Sequence, residues 1–259
     1  VKGASGVLAL VLAETAAGAA GLLFLTPLWA EVRRGFFFLT GAVVVVLALS
    51  AAGAAGSGES FASQSAGHQG AILALSLAGA TVVWLGLMLA RRETVARALG
   101  VVTVPVAVAM LVAFARATGD SFPLSLFQLL AGALFTGAVL DGLLLGHWYL
   151  TDRKLTRGPI NRMAWLLIAA VTVEGVAVLA GGLGAAPSSS SLSPLLTVAG
   201  NATWIAFGMV ACTGLIAAFI QVTLRGTRPT AVQSATGFFY LAVITAFTAE
   251  LAAKVRFLR

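Results

Sequence analysis

Residues 142–162, GLLLGHWYLTDRKLTRGPINR, decide how this chain is read. They close a long apolar helix that runs in from Phe127 and carries a carboxylate, Asp141, inside its apolar span. The order is that of a helix leaving hydrocarbon. Apolar residues come first, then His147-Trp148-Tyr149, then Asp152, Arg153, Lys154, Arg157 and Arg162. A turn at Gly158-Pro159 sends the chain back. With Asp141 included, one of the two histidines, two carboxylates and four cations fall within residues 141–162.

The rest of the chain repeats that pattern. Of 259 residues 59% are hydrophobic and only 10% charged, with a mean hydropathy of +1.01, whereas soluble domains are about 25% charged. Eight apolar runs cover roughly residues 5–30, 36–56, 70–90, 97–117, 125–150, 163–184, 195–224 and 231–253. Each is long enough to cross a hydrocarbon core of about 30 Å. Backbone polar groups have no partners in lipid, so such runs must be helices. The alternation expected of barrel strands is missing. The fold class is therefore an all-α integral membrane bundle of eight transmembrane helices, one polytopic domain over residues 1–259. The chain begins at Val1 rather than Met, and its N-terminus is read as trimmed or incomplete. Its first run, about 25 residues long, exceeds a signal-peptide core and reads as a true span.

Charge placement sets the expected orientation. Eleven of the sixteen cations (Arg33, Arg34, Arg91, Arg92, Arg97, Arg153, Lys154, Arg157, Arg162, Arg225 and Arg228) lie in the first, third, fifth and seventh connections. Positive charge concentrates on the cytoplasmic side. The expectation is a multi-pass protein of a bacterial-type inner (cytoplasmic) membrane with both termini outside. The same placement, in loops between spans, excludes nucleic acid as the partner of the +7 net charge. The outward connections, 57–69 and 185–194, are small, polar and nearly uncharged.

A weak internal repeat is visible. Gly21-Leu22-Leu23 followed by Trp29, Glu31, Arg33 and Arg34 recurs as Gly142-Leu143-Leu144 followed by Trp148, Asp152, Arg153 and Lys154. It suggests two four-helix halves, 1–118 and 125–259, with the same orientation, since each half has an even number of spans.

Carboxylates inside lipid are the strongest chemical signal, because an acid at a helix centre costs about 2.5–3.5 kcal/mol to insert. Four qualify: Glu14, Asp141, Glu174 and Glu250. Glu174 falls near the middle of its run. By its place in the sequence no cation is deep enough to neutralise it or Asp141 directly. Both are expected to hold protons and, with Glu14, to form a proton relay. Glu250 and Lys254 read as a salt bridge at the outer membrane surface. The plain alternative for all these acids is helix-to-helix hydrogen bonding.

His147 is rotated away from Asp141 on the helix, whereas Asp141, Leu145, Trp148 and Asp152 share one face. His147, Trp148, Tyr149, Asp152 and Arg153 are candidate ligand-binding residues, with His68 at the start of the third helix as a further candidate. An aromatic membrane-interface belt is the plain reading of Trp148 and Tyr149. Cys212 reads as a small buried apolar residue. With one cysteine, and with His68 and His147 at opposite faces, no haem or metal held by this chain is expected. Walker, dinucleotide and H-E-x-x-H motifs are missing.

Eight short-looped helices, a polar-aromatic nest at one face and acids behind it resemble in architecture the membrane-anchor subunits of respiratory oxidoreductases of the polysulfide-reductase or dimethyl-sulfoxide-reductase type. That resemblance implies a quinone-binding subunit of a multi-subunit electron-transfer complex. His147, Tyr149 or Asp152 would bond a quinone carbonyl, Trp148 would line the ring slot, and Asp141 or Glu174 would relay protons. Partner subunits would carry haem or iron–sulfur centres. Two alternatives use the same residues: a proton-coupled small-solute transporter and a structural scaffold subunit.

Overall fold

The computed structural model describes residues 1–29, 31–56, 61–152, 155–182, 200–226 and 230–258. Among these residues the regular structure is entirely helical. The helices are α1 (Gly3–Leu25), α2 (Arg34–Gly56), α3 (Gln64–Leu89), α4 (Glu93–Ala117), α5 (Phe122–Thr151), α6 (Gly158–Ala180), α7 (Asn201–Arg225) and α8 (Ala231–Lys254). All eight are long and apolar enough to span a membrane. Apolar side chains such as Val101, Val222 and Ile244 are exposed on the outside of the bundle, as lipid contact requires.

Local chemistry explains most of the boundaries. Pro27 ends α1 in a tight 3-10 turn, Thr26–Trp29. Pro123 and Pro159 sit in the first turns of α5 and α6, where a missing N–H costs nothing. The turn expected at Gly158-Pro159 is thus the start of α6, which begins earlier than the apolar run and ends at Ala180. This shift moves Glu174 away from the centre of its helix, to within about two turns of the Ala180 end.

α1 and α5 form the axis. Of their spanning residues 78% and 72% are buried, against 33–44% in the other six helices. α1 packs broadly on α5 and also on α2 and α4, while α5 packs on α6 and α8. The axis closes through glycine. A Cβ on Gly18 would lie 1.7 Å from the Ala133 carbonyl oxygen, and one on Gly137 2.5 Å from the Gly18 backbone. Only residues without a Cβ let the two backbones approach this closely.

The connections gather at two ends. Arg33 pairs with Asp152 at 3.0 Å, Arg34 with Glu93 at 2.9 Å and Arg162 with Glu31 at 2.8 Å. Arg157 donates to the Gly226 carbonyl. These bonds draw the α1–α2, α3–α4, α5–α6 and α7–α8 connections onto one basic face. At the opposite face the Ala62 amide donates to the Ala117 carbonyl, and Val1 donates to the Phe257 carbonyl at 2.8 Å. Arg153, Lys154, Arg228, Glu59 and the 185–194 connection lie outside the described residues.

Candidate functional site: a buried ionic nest

Three of the four acids expected in lipid converge on one lysine. Lys254 Nζ lies 2.8 Å from Glu14 Oε1 and 2.8 Å from Glu250 Oε2. Its third contact is with the Gln128 carbonyl at 3.5 Å. An ammonium has three donors and no acceptor; here it donates to Glu250 and to the Gln128 carbonyl, and Glu14 is held by charge. Glu174 completes the nest, its carboxyl interacting electrostatically with Glu250, Lys254 and Glu14. All four side chains are at most 2% exposed.

Four helices build this site. Glu14 comes from the middle of α1, Glu174 from α6, and Glu250 and Lys254 from α8, one turn apart on the same helix face. α5 supplies Gln128, whose amide donates to the Ala177 carbonyl at 3.0 Å, and Gly132. A Cβ at Gly132 would sit 2.8 Å from Glu14 Oε1 and 2.9 Å from Glu250 Oε2. Glycine there makes the room in which the acids meet.

The pair expected at the membrane surface is therefore an interior one. The chain does not leave the bundle where α8 ends at Lys254 but continues into a 3-10 turn, Val255–Phe257, with Val255 and Phe257 buried. α1 and α5 pack over the last turns of α8. Nearness to a helix end in sequence is not exposure when neighbouring helices extend past it. The expectation that no cation reaches Glu174 is corrected by the same fact, since Lys254 points inward.

The arrangement has a definite chemical character. Three carboxyls face one ammonium, so the nest is electrically balanced when two of the acids carry protons. Glu14 Oε2, Glu174 Oε2 and Glu250 Oε1 are buried without a hydrogen-bond donor. Buried acceptors of that kind are costly unless a proton or a water serves them. The Glu14–Lys254 contact is an ion pair not aligned as a hydrogen bond, whereas Lys254 donates properly to Glu250. The lysine is thus held by α8 and shared with α1.

The other candidate residues are dispersed. Asp141 is fully buried, and neither of its oxygens has a partner. It lies on α5 beyond the Gly18–Gly137 contact, on the basic-face side of the nest. Thr40 on α2 and the Trp148 indole N–H are likewise buried without partners. Trp148 packs on Gly35, where a Cβ would meet its ring at 2.0 Å. Tyr149 is buried and donates to the Thr156 carbonyl, closing the α5–α6 connection. Asp152 is bound to Arg33. His147 is exposed on the outer surface of α5, and His68 is exposed in the first turns of α3. Arg153 lies outside the described residues. The His-Trp-Tyr-Asp run does not come together as one pocket.

Sequence reading paired Lys254 with Glu250, as the structure does at 2.8 Å, but missed Gln128, Gly132 and the reach of Lys254 to Glu14. A glutamine inside an apolar span was an available signal; the glycine was not, because many glycines line these helices. It also missed the basic-face network in which Glu31 accepts from Arg162 at 2.8 Å and from Thr156 at 3.0 Å. Those two donors hold the Glu31 carboxyl below the usual carboxylate range. Cys212, expected to be buried, is exposed on α7; it lies on the apolar outside of the bundle.

Comparison with protein-family models, curated proteins and solved structures finds no match. Among the described residues no group of three His, Cys, Asp or Glu side chains is placed to hold a metal ion.

Proposed function

We propose that this chain is a proton-relaying membrane subunit of a quinone-linked electron-transfer complex. The observation that supports it is the nest of Glu14, Glu174 and Glu250 around Lys254, with fewer cations than acids. Such a cluster gains or loses a proton without leaving the low-dielectric interior, because the shared ammonium can follow whichever carboxylate is ionised. Ionisable groups held inside a bundle at this cost mark proton or substrate pathways by default. Asp141 is the next acid along α5 toward the basic face and serves as the second station. Gln128 and Arg256 line the way from the opposite face. Partner subunits bearing haem or iron–sulfur centres would supply electrons, docking on the basic face. The membrane would be a bacterial-type inner membrane, with that face in the cytoplasm and both ends of the chain outside.

The packing also supports reading α1–α4 and α5–α8 as two four-helix halves of like orientation. Each closes as a ring of neighbours, and the rings meet along α1 and α5. In this reading the nest sits at the seam, where an acid from the first half meets acids and a lysine from the second.

A second reading, a proton-coupled small-solute transporter, has one observation in its favour. The acids gather around a lysine rather than beside the aromatic residues of α5. Infrared difference spectroscopy on the purified protein in lipid, stepped in pH, tests the relay itself. A carboxylic-acid C=O band should appear and vanish with pH, shift in D2O, and be lost in Glu174→Gln or Glu250→Gln. A nest whose bands never change, with quinone-linked proton release unaffected in both variants, would leave only a structural scaffold. Solute uptake driven by a proton gradient, with no quinone dependence, would favour the transporter.

A further inference from the structure

We propose that the cavity under Trp84, at the basic face of the α1–α4 side, is the seat of a quinone ring. This inference rests on the quinone-linked reading above and names the place that reading lacks, since the residues of α5 do not form a slot. The cavity has a volume of ≈ 190 Å³. Drug-sized ligands occupy about 300–1,000 Å³, so a whole lipid-like molecule is too large for it. A cavity of about 150 Å³ lined by apolar side chains takes up benzene, so a single substituted ring fits, with its isoprenoid tail left in the lipid.

The walls suit such a ring. Pro27, Phe37, Trp84 and Met88 supply apolar surface from three parts of the chain, the turn after α1, α2 and α3. Trp84 is 1% exposed and is fixed edge-on by Phe24 at 5.3 Å and by Phe37 at 6.1 Å between ring centroids. Gly100 gives its indole room, for a Cβ there would lie 2.9 Å from Phe24 and 3.3 Å from Trp84 Nε1. The ring site is therefore rigid before anything enters it, which lowers the cost of binding.

The polar groups at the rim are unequal. Arg34 reaches Glu93 Oε1 through both Nε (3.1 Å) and Nη2 (2.9 Å), so its charge is matched. Arg97 lines the same cavity, and among the described residues no acid lies within ion-pair distance of it. One unmatched guanidinium over an aromatic-walled cavity suits a ring bearing carbonyl oxygens, which accept from it without bringing a full charge. A phosphate head group would want more than one such cation and has no use for the aromatic walls.

The test is saturable quenching of tryptophan fluorescence in the purified, detergent-solubilised chain, titrated with decylubiquinone and with menadione. Wild type is expected to saturate. Trp84→Phe should remove the saturable component, Arg97→Gln should raise Kd about tenfold, the worth of one charge-assisted hydrogen bond, and Met88→Trp should fill the cavity and abolish binding. Arg225→Gln, an exposed cation elsewhere on the basic face, should change nothing. Saturable binding with the same Kd in Arg97→Gln and Met88→Trp would overturn this site while leaving the quinone-linked reading standing. No saturable binding in wild type, and no quinone in its lipid extract, would remove both. Loss of binding to phosphatidylglycerol vesicles in Arg97→Gln with quinone binding intact would make the cavity a lipid site and overturn the proposal.

Discussion

Lys254 Nζ sits 2.8 Å from Glu14 Oε1, so the last long apolar helix is tied to the first by a buried ion pair. Neither partner can be judged alone. Removing one side of a buried pair leaves an uncompensated charge, which typically costs about 3–5 kcal/mol. Lys254→Met strands three acids and should lower stability by that order in thermal or denaturant unfolding. Glu14→Gln should cost less, because Glu250 still holds the ammonium. The triple variant Lys254→Met, Glu14→Gln, Glu250→Gln should recover much of the loss. A Lys254→Met protein as stable as wild type would show that the nest carries no charge coupling.

Asp141 gives the opposite expectation. Neither of its oxygens has a donor, and an unsatisfied buried polar group costs about 1–3 kcal/mol. Asp141→Leu should therefore hold or raise the unfolding temperature, while Asp141→Asn, still polar and still unpartnered, should not raise it. If Asp141 relays protons, the stabilised Leu variant should also lose proton-coupled activity. A clear loss of stability in Asp141→Leu would mean that the acid is structural.

The α1–α5 axis predicts a contrast among glycines. Gly137→Ala would place a methyl 2.5 Å from the Gly18 backbone, which cannot swing aside, whereas a Cβ on Gly21 meets nothing within 4 Å. Overpacking of this kind costs about 1–3 kcal/mol or more. Gly137→Ala should be destabilised by at least that much, and Gly21→Ala should be neutral or slightly stabilised by its better helix propensity. Unfolding midpoints of the two variants, measured in the same detergent, decide the matter.

Glu31 sets a pH dependence at the basic face. Arg162 and then Thr156 lower its folded-state carboxyl below its unfolded value. A lowered acid adds stability that is complete above the ordinary carboxylate range, about 4.3. That stability disappears as pH falls through the lowered folded value. Wild type and Glu31→Gln should therefore differ by a constant amount between about pH 6 and 8 and converge in acid. Curves that stay parallel into acid would show that the Glu31 tie contributes nothing. The group is at the surface, so the difference should also shrink in high salt.

Composition and run length by themselves determined that this chain is a bundle of eight apolar helices, because a span needs about twenty apolar residues and lipid leaves the backbone no other partner. They also singled out Glu14, Asp141, Glu174 and Glu250, since an acid is conspicuous where almost everything else is apolar. Periodicity along α5 correctly separated the face of Asp141 from that of His147. What only the tertiary structure decided is which of these groups meet. Helical phase orders neighbours on one helix, but Glu14 and Lys254 come together through the packing of α1 on α5 and of α5 on α8. That packing is set by small residues, Gly18, Gly132 and Gly137, indistinguishable in sequence from the glycines beside which nothing packs. The depth of Lys254 was hidden for the same reason: burial depends on what the neighbouring helices cover, and a position near the end of its own helix does not reveal it.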